Sequence, residues 1–74
     1  MPRTPVTPRP PPQRYRLMRL RAVRLERGFT QLSLCVAANL SITSIQLIEG
    51  GHNTRPETSL RIAKVLGVTV RDLL

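Results

Sequence analysis

Residues 30–50, TQLSLCVAANLSITSIQLIEG, decide how this chain folds. Thr30 and Ser41 each stand before an apolar-periodic run, where a hydroxyl oxygen can accept a hydrogen bond from a free N–H of the first helical turn. Asn39 falls between the two runs, at a place that calls for a left-handed residue, and among non-glycine residues asparagine adopts that conformation most readily. Gly50 and Gly51 close the second run. The stretch therefore reads as two short helices joined by a tight turn. Leu34, Ala37 and Ala38 form the narrow apolar edge of the first, and Ile45 and Ile48 face inward from the second, which spans Ser41 to Glu49. Cys35, in the middle of an apolar segment, reads as a small core residue.

Helical signals continue on both sides. From Arg14 onward Leu17, Leu20, Val23 and Met18 recur at three-to-four spacing with arginines on the other face, which predicts a first helix that begins near Arg14 and is closed by Gly28. Phe29, the chain's one phenylalanine, is available to fill the core. Downstream, Thr54-Arg55-Pro56-Glu57 matches a capping box opening a fourth helix that carries Leu60, Ile62, Ala63 and Leu66 and stops at Gly67. Thr69 and Asp72 then cap a last helical turn, whose Leu73 and Leu74 are expected to lock onto the core. No alternating apolar run and no hairpin dipeptide is present, so a sheet is not expected. The fold class is all-α, a compact bundle of five short helices.

Residues 1–13, MPRTPVTPRPPPQ, hold six of the seven prolines and no apolar pattern. They read as a disordered arm of polyproline II character preceding a domain over residues 14–74. Such an arm is either an inert leader or a basic strand that touches phosphate or enters a minor groove; a proline-motif ligand role is a weaker match.

Charge narrows the partners. The 74 residues carry a net +8, with 12 Lys and Arg against 4 Asp and Glu. Arg3, Arg9, Arg14, Arg16, Arg19, Arg21, Arg24 and Arg27 crowd the N-terminal third, opposed there only by Glu26. Clustered charge of one sign points to a polyanion, nucleic acid ahead of an anionic membrane surface, although arginine-biased composition accounts for part of it. No apolar run reaches the roughly 20 residues of a membrane span, and proline occupies the place where a signal peptide needs its apolar core. A single cysteine excludes an internal disulfide. These features lead us to expect a soluble cytoplasmic protein.

Catalytic patterns are missing. His52 is the lone histidine and lies in a predicted loop, and no Cys/His cluster has metal spacing. Two of the four acidic residues read as caps, which leaves no credible carboxylate dyad. No glycine-rich phosphate loop follows a strand. The expectation is no enzyme, no cofactor and no small-molecule ligand.

Helix-turn-helix units of this size place their second helix in the DNA major groove. The chain also resembles the Cro/cI phage-repressor family, the XRE-like helix-turn-helix domains. The resemblance is carried by Leu20, Arg24, Gly28, Thr30-Gln31, Leu34, Ser41, Ile45, Glu49 and Gly51, and then by Glu57-Thr58, Leu60, Ile62-Ala63, Leu66-Gly67-Val68 and Leu73. It covers about Leu17 to Leu74 and implies a bundle of five helices, a bacterial or phage source, and a dimeric transcriptional regulator on double-stranded DNA. It further implies that Gln31 bonds a phosphate and braces the recognition helix, aided by the free N–H groups of its helix start. Ser41, Ile42, Thr43, Gln46 and Leu47 would read bases. Gly51, His52, Asn53 and Arg55 would press against the DNA backbone, and Arg24 and Glu49 would form an internal ion pair.

The recognition helix departs from that pattern. Ser41 to Glu49 contains no Arg, Lys or Asn, so most bidentate base readers are absent, Gln46 excepted. Ile42 and Leu47 suit thymine methyl groups, and with them a limited readout leaning to A·T. The same two residues, joined by Leu32 and Val36, equally suit a docking patch for a protein partner. A specific DNA-binding regulator, repressor-like or Cro-like, is the leading expectation. A protein-interaction module such as an antitoxin, or a nonspecific nucleic-acid binder, is the alternative. With no sensor domain in sight, control would come from concentration, a partner or degradation.

Overall fold

The computed structural model describes residues 14–74; the arm expected over residues 1–13 lies outside them. Five helices follow one another: α1 (Leu20–Glu26), α2 (Gln31–Ala38), α3 (Ile42–Glu49), α4 (Pro56–Leu66) and α5 (Val70–Leu73). Among the described residues extended pairing is confined to one antiparallel bridge, Tyr15 to Thr54.

The caps explain the element boundaries. Thr30 accepts from the Ser33 N–H while Ser33 returns a bond to the Thr30 N–H, and Thr69 and Asp72 form the same reciprocal pair at α5. Ser41 accepts from the Ser44 N–H at the start of α3. At their other ends α1 to α4 stop in one shared geometry. The N–H groups of Phe29, Leu40, His52 and Val68 reach back to the carbonyls of Arg24, Cys35, Leu47 and Ala63. Each of these reversals needs a left-handed residue just before the donor, supplied by Gly28, Asn39, Gly51 and Gly67. Asn39 has φ 59°, as its place in the turn predicts, and is the sole non-glycine among them.

Three details of the sequence reading are corrected. The first helix starts at Leu20, not near Arg14. Tyr15 exchanges both backbone hydrogen bonds with Thr54 at 2.8 Å, Leu17 is buried from an extended segment, and the Arg19 N–H donates to the Leu73 carbonyl at 2.9 Å. The capping box at Thr54 does not form: Arg55 is the N-cap, extended at φ −74° and ψ 155°, and offers no side-chain cap. The ring of Pro56 keeps the residue before it out of helical geometry, so Pro56 itself becomes the first helical residue, where a missing N–H costs nothing.

Finally, some apolar residues assigned inward face solvent. Leu60 is 57% exposed while its neighbour Ser59 is fully buried, its hydroxyl donating to the Arg55 carbonyl at 3.0 Å. The buried row of α4 runs Ser59, Ile62, Ala63, Leu66, and Leu60 sits about 100° off it. Ala37 and Leu74 are likewise exposed, whereas Cys35 and Leu73 are buried.

The core gathers Leu17, Leu20, Val23, Leu34, Cys35, Ala38, Ile45, Ile48, Ile62, Ala63, Leu66 and Leu73. Every helix contributes to it. Phe29 packs against its edge. α2 and α3 meet at a bend of 117° across Asn39, Leu40 and Ser41, within the range of helix-turn-helix units. No single helix among the described residues is long and apolar enough to cross a membrane.

Candidate nucleic-acid interface

The α3 helix presents two different faces. Ile45 and Ile48 are buried, which turns Thr43, Gln46 and Leu47 to solvent. The hydroxyl of Thr43 and the amide of Gln46 make no hydrogen bond within the described residues. Leu47 is 47% exposed. The other two residues expected on this face are partly committed elsewhere. Ile42 is half-buried, because it begins the 42, 45, 48 stripe that meets the core. The Ser41 hydroxyl caps α3 and lies 2.9 Å from that of Ser44.

A buried polar network fixes this helix against α1 and α2. Arg24 Nε donates to Glu49 Oε2 at 2.5 Å and Arg24 Nη2 to Oε1 at 3.2 Å, with both side chains less than a tenth exposed. Gln31 Nε2 donates to the same Oε1 at 3.0 Å, and Arg24 Nη1 to the Phe29 carbonyl at 2.9 Å. Burial alone would push the Glu49 carboxyl up. The bonds from Arg24 and Gln31 and the positive charges of Arg24 and Arg21 outweigh it, holding the group below its ordinary value. Glu49 thus stays ionised. Gln31 braces the end of α3 and keeps one amide hydrogen for an outside acceptor. The backbone N–H groups of Gln31 and Leu32 are the ones at the start of α2 left open, since Thr30 has taken that of Ser33.

Beyond α3 the chain turns at Gly51, φ +103°, into an exposed loop of His52, Asn53 and Arg55. The loop borders a groove of about 310 Å³ whose lining includes Ser44 and Leu47 of α3, Thr58 of α4, and two arginines, Arg14 and Arg55, with no carboxylate. Arg14 comes from the segment before α1, where helical spacing alone predicts helix. Its neighbour Arg16 donates through Nε to Asn53 Oδ1 at 3.3 Å. Sequence reasoning missed both arginines as site residues. The signal was present but four residues long: Arg14-Tyr15-Arg16-Leu17 alternates exposed with at least partly buried side chains, the period of a strand. Among the described residues no group of His, Cys, Asp and Glu is placed to hold a metal.

A family model described as helix-turn-helix matches residues 20–73, all five helices. Comparison with curated proteins and with solved structures returns no match.

Proposed function

Because this chain belongs to the Cro/cI-like helix-turn-helix family, a DNA-binding family, we propose that it is a sequence-specific regulator that lays α3 in the major groove of double-stranded DNA. The observation that supports this most directly is that Thr43 and Gln46 stand exposed on α3 with no hydrogen bond inside the described protein. Gln46 would read a base edge through its amide, and Thr43 and Leu47 would meet thymine methyl groups. Gln31 with the start of α2, and Gly51, His52, Asn53 and Arg55 beyond α3, would grip phosphates on either side. Affinity then rests on arginine and backbone contacts, and discrimination on a few polar and aliphatic groups. In this reading the protein acts as a homodimer on two half-sites, in the cytoplasm on the nucleoid, with a Cro-like or repressor-like role.

A second reading, a protein-docking role for the same fold, is favoured by the exposed Leu47, Leu32 and Val36. One measurement separates the two. Genomic fragments are competed against random duplex at two salt concentrations. A regulator selects fragments that outcompete random DNA by well over tenfold. If no fragment does so, the base-reading role is wrong.

A further inference from the structure

We propose that the Tyr15–Thr54 bridge mounts Arg14 and Arg16 beside the 51–55 loop as a second phosphate grip, acting jointly with Arg55. The proposal rests on the DNA-binding reading above and names contacts that lie outside the helix-turn-helix itself.

Three observations carry it. First, Tyr15 and Thr54 exchange both backbone hydrogen bonds at 2.8 Å, so the segment before α1 is held to the loop by paired backbone bonds. Second, the alternation along that segment leaves Tyr15 and Leu17 packed against the core and sends Arg14 and Arg16 outward. The Arg16 guanidinium already meets the loop through the Asn53 amide oxygen. Third, Arg14 and Arg55 line one groove together with Leu47, without a neutralising carboxylate. Two planar guanidinium forks with no acidic partner in the groove match a phosphate diester, which accepts paired N–H donors. Because Leu47 forms part of the same wall, a phosphate held there would sit at the edge of the α3 reading face. A charge placed by backbone pairing costs less ordering on binding than the same charge on a free chain end.

The test is the salt dependence of binding by the full chain. Each phosphate contact adds about 0.9 to the slope of log K against log salt, or about 3.5-fold in affinity between 50 and 200 mM. Arg14→Ala is expected to shallow the slope by about 0.9 and to weaken selected and random duplex alike. Arg14→Ala/Arg16→Ala should shallow it by up to twice that. Arg27→Ala, which removes an equal charge, serves as control. Arg27 lies beside Gly67, nine residues or about 13 Å along α4 from Thr58 at the groove, and its loss should leave the slope within error. Arg14 and Arg16 are exposed, and circular dichroism melts of the variants should superimpose on the parent. Slopes unchanged in both arginine variants, with the parent still binding DNA, would overturn the second grip and leave the DNA-binding reading intact. An equal fall with Arg27→Ala would also overturn it, by showing a diffuse charge effect. Failure of the parent to bind any duplex would remove both.

Discussion

Arg24 in α1 and Glu49 at the end of α3 meet through two hydrogen bonds, Nε to Oε2 at 2.5 Å and Nη2 to Oε1 at 3.2 Å, and so tie the first helix to the third beneath the surface. The Arg24 guanidinium also bonds the Phe29 carbonyl, while the Arg24 carbonyl accepts from the Phe29 N–H. One residue therefore both closes α1 and positions α3. Taking away one partner strands the other charge in a site less than a tenth exposed. Arg24→Ala or Glu49→Ala should each destabilise the domain by roughly 3–5 kcal/mol, a large share of the stability of a domain this small. Arg24→Ala/Glu49→Ala, which removes both charges, should lose clearly less than the sum of the single changes. Urea unfolding of the four proteins closes the cycle, and additive losses would mean that the two charges do not depend on each other.

The same pair makes stability depend on pH. Burial opposes ionisation of Glu49, but the hydrogen bonds from Arg24 and Gln31 and the charges of Arg24 and Arg21 more than offset it, so its folded pKa lies below its unfolded one. A depressed carboxylate contributes stability that is fully present above the unfolded value, about 4.3, and is lost as pH falls through the folded value. Melting temperature should hold down to about pH 5 and drop below about pH 4. Glu49→Gln should start lower at neutral pH and lose much of that acid sensitivity. Asp72, whose carboxyl is held low by the Thr69 backbone N–H and hydroxyl on an exposed turn, should matter much less when changed to Asn. Equal flattening by both changes would contradict the primacy of the buried pair.

Gly50 and Gly51 stand side by side and predict opposite outcomes. Gly51 has φ +103° with nothing within 4 Å of an added Cβ, so its cost to substitution is one of backbone conformation alone. Gly50 lies at φ −80°, open to any residue, with Gln46 O at 3.3 Å and Leu47 O at 3.4 Å from the added carbon. Gly51→Ala should cost about 1–2 kcal/mol. Gly50→Ala should stay within about 0.5 kcal/mol of the parent, because reduced freedom of the unfolded chain offsets the tight approach. Thermal melts decide, and a larger loss at Gly50 would refute the assignment of roles.

What could be read from the sequence follows the range of the forces. Thr30, Asn39, Ser41 and Gly67 act on bonds within a few residues, and the helices they bound stand where those residues place them. The start of α1 was illegible because Leu17 fits helical spacing equally well. Its true setting depends on Thr54, a partner remote in sequence, with no local trace beyond a four-residue alternation. Leu60 and Ser59 show a related limit. Hydrophobicity favours burying the leucine, but the phase of α4 was set by Ile62, Ala63 and Leu66, and the serine fills the buried position by bonding its own helix start. The groove of Arg14 and Arg55 joins two such remote segments, and for that reason half of the candidate phosphate-binding surface was invisible to a reading of residues in order.

Base readers and phosphate binders separate by what their loss does to selectivity. Thr43 and Gln46 are exposed on α3 and hold no structural bond within the described residues, so their removal should leave the fold intact. Against a selected fragment, Gln46→Ala should lose about 1–3 kcal/mol, and its preference over random duplex should shrink by the same amount. Thr43→Ala should lose less, since an apolar contact to a thymine methyl discriminates less than a paired amide–base contact. Arg55→Ala should weaken selected and random DNA together, shallow the salt slope by about 0.9 and leave the preference unchanged. The contrast follows from chemistry: a phosphate is the same at every step of the duplex, whereas a base edge is not. Parallel titrations of each variant on both duplexes give the preference ratio directly. Equal ratios for all three variants would place Thr43 and Gln46 outside the base-reading surface and return α3, with its exposed Leu47, to the protein-docking alternative.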